Sequence, residues 1–140
     1  MSEKLKLGEN HRRVVSVLLR GIEATCDEVE ATLDETAGVM RRVSDDLSTE
    51  QSKALRRMSE AVRTEIRRIS SEIELDPAMN SRRRRIRALV SSAIVNLEES
   101  DPKKLRGYGH LAEEAVKRLE NEFAKLLKML DEMAEAVERT

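Results

Sequence analysis

The stretch Val15–Leu47 reads VSVLLRGIEATCDEVEATLDETAGVMRRVSDDL. Its apolar or small residues fall at Val15, Leu18, Ile22, Cys26, Val29, Leu33, Thr36, Met40, Val43 and Leu47, with intervals of three and four only and no proline between them. Residues so spaced share one face of an α-helix, which predicts a single long amphipathic helix with a narrow apolar seam. The mean step is about 3.56 residues, between the 3.5 of a coiled coil and the 3.6 of a straight helix. Apolar flanks at Val14, Val17 and Val39 widen the stripe further. A compact bundle fits that pattern better than an extended coiled coil.

Outward from this stretch, residues 1–9 are polar and mixed and read as a flexible N-terminal arm. Asn10 is the expected N-cap of a first helix running from His11 to Asp46, roughly 54 Å long. Gly21 and Gly38 lie inside it, and the second marks either a kink or the close approach of a neighbouring helix. Ser48-Thr49-Glu50-Gln51 has the capping-box spacing and starts a second helix, with a stripe of Leu55, Met58, Val62, Ile66, Ile69 and Ile73. Asp76-Pro77 stops that helix and is positioned to open a third, striped by Met79, Ile86, Leu89, Val90, Ile94 and Leu97. Asp101-Pro102 repeats the punctuation. Lys103–Gly109 then reads as a flexible connection, or as a helical turn that breaks at its glycines. A fourth helix is expected from His110 to Glu138, with Ala112, Val116, Leu119, Phe123, Leu126, Leu130, Met133 and Val137 on one face.

Composition supports helices and narrows the core. Charged residues make up 38% of the 140, well above the usual quarter of a globular domain, and glycine and proline are few. There is no Trp, one Phe and one Tyr, so the expected core is aliphatic. Cys26 and the seam methionines Met40, Met58, Met79, Met129 and Met133 are assigned to it. One cysteine excludes a disulfide within the chain. The N-terminal residues carry no apolar signal region and no run reaches membrane-spanning length, so the expectation is a cytoplasmic protein with no membrane partner.

The charges divide by sign along the chain. Arg82-Arg83-Arg84-Arg85, with Arg87 and with Arg63 and Arg67 of the second helix, is a candidate polyanion-binding patch. From Lys53 to Arg106 there are 14 basic and 8 acidic residues. Such a patch neutralises phosphates without reading sequence, and the lack of interleaved aromatics argues against single-strand stacking. The competing reading is that the arginines pair with the acidic half of the first helix. There Glu23, Asp27, Glu30 and Asp34 stand three and four apart and form a candidate acidic interaction face. Neither His11 nor His110 has a glutamate three residues before it, so the metal spacing of four-helix carboxylate sites is missing. Glu113 and Glu114 would repel a phosphoryl group on His110. Tyr108, between Gly107 and Gly109, reads as a plug over an open end of the bundle, with a contact residue as the other reading.

These observations predict an all-α protein, one domain over 1–140, built as a mainly antiparallel four-helix bundle with helices 1 and 4 longer than 2 and 3. No nucleophile–base pair, glycine-rich phosphate loop or metal-ligand set is present, so no enzyme activity, cofactor, metal or small-molecule substrate is expected. The functional expectation is a helical interaction or scaffold protein that self-associates as a homo-oligomer, in the first instance a dimer, or binds a protein partner. The alternative is a nucleic-acid-associated protein acting through the arginine patch.

Overall fold

The computed structural model describes residues 6–139. Among them it is all-α, with helices at Glu9–Leu33 (α1), Thr49–Ile73 (α2), Arg82–Glu99 (α3) and Glu113–Glu138 (α4), and a 3-10 helix at Pro102–Tyr108. Five helices therefore replace the four expected. The expected length order also fails, because α1 and α2 are both 25 residues while α3 has 18 and α4 has 26. The chain divides into two compact units, Met1–Pro77 and Ala78–Thr140.

The first unit is a helical hairpin. Gly8, not Asn10, is the N-cap of α1, and the Arg12 amide closes the first turn on the Gly8 carbonyl at 3.0 Å. Glu9 therefore stands in the first turn, where a carboxylate suits the positive end of the helix dipole. Of the expected arm, residues 1–5 lie outside the described residues.

The main correction is that α1 ends at Leu33, thirteen residues before the expected Asp46. Thr36, Met40, Val43 and Leu47, counted on the seam, belong to the connection. Gly38 donates to the Arg41 carbonyl at 2.8 Å, and Arg41 pairs with Glu35 at 2.8 Å, so this segment turns on itself. The physical reason is the partner helix. Arg56 meets Asp34 at 2.6 Å, which sets α2 antiparallel to α1, and a helix continued to residue 46 would have run past the start of α2. Apolar spacing without a surface to cover does not sustain a helix.

The start of α2 is as expected. The Ser48 hydroxyl accepts from the Gln51 amide at 3.0 Å, and the Gln51 side chain accepts from the Ser48 amide at 2.9 Å. The helix ends where Glu74 turns left-handed at φ 61, and the Leu75 amide reaches back to the Ser70 carbonyl at 2.8 Å. Along the interface lie Val15, Leu19, Cys26, Val29 and Leu33 of α1, with Leu55, Ser59, Ile66, Ile69 and Ile73 of α2. Among the described residues, Cys26 and Ile73 are the buried apolar residues of this unit.

The second unit is a second hairpin. α3 starts at Arg82, capped by the Ser81 hydroxyl on the Arg84 amide at 3.2 Å, and not at Asp76-Pro77. Ser81 supplies the side-chain acceptor a cap requires, and residues 76–81 are exposed throughout. Asp101 caps the 3-10 helix through the Lys103 amide at 3.0 Å, and Pro102 is buried at its first position. The turn ends at Gly109, whose φ of 149 favours glycine. α4 then begins at Glu113, three residues later than expected. Arg87 on Glu138 at 2.6 Å sets α3 and α4 antiparallel, around buried Val90 and Val116.

The plug reading of Tyr108 and the core assignment of the methionines are overturned. Tyr108 is 91% exposed and plugs nothing, and Met40, Met58, Met79, Met129 and Met133 are all exposed. A hairpin buries only the narrow stripe where two helices touch, so residues that a third and fourth helix would cover remain at the surface.

Candidate interaction surfaces

Two antiparallel helices leave two flanks, and a simple rule separates them. Consecutive helical residues are about 100° apart, so a residue just after a seam position lies on one flank and a residue just before it on the other. When the helices run antiparallel, the two "after" flanks fall on the same side of the hairpin.

In the first unit the "after" side is ionic. Asp27 follows Cys26, Asp34 follows Leu33, and Arg56 follows Leu55. Arg63 donates to Asp27 at 2.6 Å and to Glu30 at 2.5 Å, and Arg56 donates to Asp34 at 2.6 Å. The two hydrogen bonds from Arg63, to Asp27 and then Glu30, push its already high pKa further up, so it stays charged at any working pH. The acidic face of α1 is thus answered by arginines of its own hairpin at three of its four carboxylates. Glu23 is exposed and has no cation partner among the described residues.

The "before" side of this hairpin is ionic along the second half of α2, where Glu65, Arg68 and Glu72 precede Ile66, Ile69 and Ile73, and elsewhere carries exposed apolar residues. Val14 precedes Val15, Leu18 precedes Leu19 and Met58 precedes Ser59, and with Ile22 and Val62 they form one exposed strip across both helices. Leu18 is 59% exposed and Met58 62%, although sequence spacing places both on the seam. Spacing does not reveal the strip, because a three-and-four pattern does not distinguish the line facing a single partner helix from its flank. The signal that would have found it is the order of residue types around Leu19, Leu55 and Ser59, where an apolar residue stands before the seam position and a charged one after it.

The second unit repeats the arrangement. On its "after" side Arg87 follows Ile86 and Glu138 follows Val137, and the guanidinium grips both carboxylate oxygens at 2.6 and 2.9 Å. The Arg87 hydrogen bond holds the Glu138 carboxyl below its usual range, with a smaller pull from Arg83. On the "before" side Leu126, Met129 and Met133 border an open apolar groove of about 550 Å³ between α3 and α4, floored by Leu97, Phe123 and Leu130.

The candidate arginines fall into two groups. Arg63 and Arg67 belong to the first unit, where Arg63 is engaged as above and Arg67 reaches Glu60 at 3.3 Å. Arg68 is held between Glu65 and Glu72 on its own helix. Arg82, Arg83, Arg84, Arg85 and Arg87 belong to the second unit. Only Arg87 among these five has a carboxylate within ion-pair distance among the described residues. No cluster of three or more His, Cys, Asp or Glu side chains able to hold a metal ion occurs among the described residues, and no helix among them is long and apolar enough to cross a membrane. His110 lines a shallow polar hollow with Arg106 and Glu113.

Comparison of the chain with protein-family models, curated proteins and solved structures yielded no match.

Proposed function

We propose that this chain is a non-enzymatic, cytoplasmic helical scaffold protein that self-associates through the uncovered apolar side of its α1–α2 hairpin. The observation that carries the reading is the strip of Val14, Leu18, Ile22, Met58 and Val62, all exposed on the side opposite the Arg63 and Arg56 ion pairs. A second copy of the same hairpin is the favoured occupant, because the five residues are uncharged, come from both helices and are suited to self-pairing about a two-fold axis, while Glu65, Arg68 and Glu72 on the same side offer both signs of charge at its rim. The area is adequate. Helices about 37 Å long, set side by side over a width of about 20 Å, give a paired face burying roughly 1,500 Å² in total, within the range of stable interfaces.

Sedimentation velocity tests it. The expected species is twice the 15.9 kDa chain mass, reverting to monomer on Leu18→Glu or Met58→Glu. Val17→Glu, on the far side of α1 from the seam, is expected to leave the dimer intact. A wild-type chain that stays monomeric into the millimolar range would overturn the proposal.

A further inference from the structure

We infer that Arg82, Arg83, Arg84 and Arg85 form a clamp for the phosphates of duplex DNA, carried on the free first turn of α3. The inference stands apart from self-association and rests on a different part of the molecule.

Four observations carry it. First, the fold engages five other arginines of this basic stretch and leaves these four consecutive ones, along with Arg57 and Arg106, without an ion pair among the described residues. Arg56, Arg63, Arg67, Arg68 and Arg87 each have a carboxylate partner, whereas none of the four has one within 4.0 Å among the described residues. Arg83 lends only a longer-range pull to Glu138. Second, they occupy the wrong end of the helix for stability. The first turn of α3 contains no acidic residue, and four positive charges there oppose both one another and the helix dipole. An anion brought to that turn relieves both repulsions. Third, the turn is accessible. Arg87 sits opposite Glu138, the last residue of α4, so the turn before Arg87 overhangs the end of its partner helix, and all four side chains are exposed.

The fourth observation selects the ligand. At about 100° per residue the four guanidinium groups fan through about 300° around the helix. A single small anion meets one or two of them, and a flat anionic surface meets only one side. A helix end entering a major groove about 12 Å wide has phosphates on both sides, so the whole fan is used. Arginine suits this role because its planar fork binds phosphate oxygens in pairs. The A-form groove of duplex RNA is too deep and narrow for such entry, and a chain with one Phe, one Tyr and no Trp has little on which to stack single-stranded bases. The arginines meet the sugar–phosphate backbone, so binding is independent of sequence and strongly salt-dependent.

The test is fluorescence anisotropy of a labelled mixed-sequence DNA duplex with the full chain, across a salt series starting at about 50 mM. Micromolar binding is expected at low salt. The quadruple variant Arg82→Gln/Arg83→Gln/Arg84→Gln/Arg85→Gln is expected to bind at least about 100-fold more weakly there. Its log–log salt slope is expected to be shallower by about three to four, close to one for each phosphate no longer neutralised. Arg20→Gln/Arg42→Gln/Arg57→Gln/Arg118→Gln removes the same charge elsewhere and is expected to keep most of the affinity and slope. Circular dichroism checks folding, and the first variant is expected to retain full helicity. Three results overturn the inference: no salt-dependent duplex binding by the wild type, equal loss in both quadruple variants, or equal or tighter binding to duplex RNA or phosphatidylserine vesicles.

Discussion

Arg12, in the first turn of α1, donates to the main-chain oxygen of Ile73, the last residue of α2, at 3.1 Å, and to that of Glu74 beyond it. The last turn of α2 has no basic residue of its own, so the cation that its negative end favours comes from the other helix. One side chain thereby caps a helix and ties the open end of the hairpin. Arg12→Ala is expected to cost about 1–2 kcal/mol, since two carbonyls lose a charged donor. Arg12→Lys, with a point charge in place of the fork, is expected to recover about half of that loss. Urea unfolding of the full chain measures both, and an unchanged midpoint for Arg12→Ala would show that water replaces the cap without cost.

Ser59 is buried at the α1–α2 interface, and its hydroxyl has no hydrogen-bond partner among the described residues. Ser59→Ala removes the orphaned group and improves helix propensity, so a gain of about 0.5–1 kcal/mol is expected. Thermal and urea unfolding should both move upward, and destabilisation would reveal a water or partner that satisfies the hydroxyl.

Neighbouring positions on α3 are expected to respond in opposite ways. Val90 is 4% exposed while Leu89 lies on the open flank. Val90→Ala is expected to cost about 2 kcal/mol through lost burial and a residual cavity. Leu89→Ala, the larger truncation, is expected to stay within about 0.5 kcal/mol at concentrations where the chain is monomeric. Equal effects would place the seam of the second unit wrongly.

Acid is expected to loosen both hairpins through identifiable carboxylates. Arg87 holds Glu138, and Arg68 holds Glu65, below the ordinary glutamate value. A depressed folded value means that the unfolded chain takes up the proton first. The stabilisation is therefore present above the unfolded pKa of about 4.3 and is lost as pH falls through the lower folded value. Carboxyl chemical shifts across an acid titration should show both midpoints below that of a model glutamate. Glu138→Gln is expected to remove part of the pH dependence of the second unit, and a normal titration of Glu138 would contradict the ion pair.

Much of the local architecture is legible from residues alone. Ser48 and Gln51 encode the start of α2, Asp101-Pro102 the start of the 3-10 helix, and the runs to Ile73, Glu99 and Glu138 the helices themselves. These features rest on interactions within a few residues, where side-chain caps and backbone geometry act without reference to the rest of the fold. The end of α1 is not legible in this way, because Thr36, Met40, Val43 and Leu47 continue the spacing with nothing to bury against.

By itself, the sequence determined that the chain is helical, that its helices are amphipathic, and that an acidic face on the first helix is followed by a stretch with an excess of basic residues. Tertiary structure alone decided which charges are spent. Antiparallel pairing sets Arg63 against Asp27 and Glu30 and Arg87 against Glu138, while the first turn of α3 overhangs its partner and leaves Arg82 to Arg85 without a carboxylate among the described residues. It also decided that Leu18 and Met58 face outward. Periodicity records that a residue lies near an apolar line on its own helix. Whether that line is covered depends on a second helix whose register the spacing does not contain.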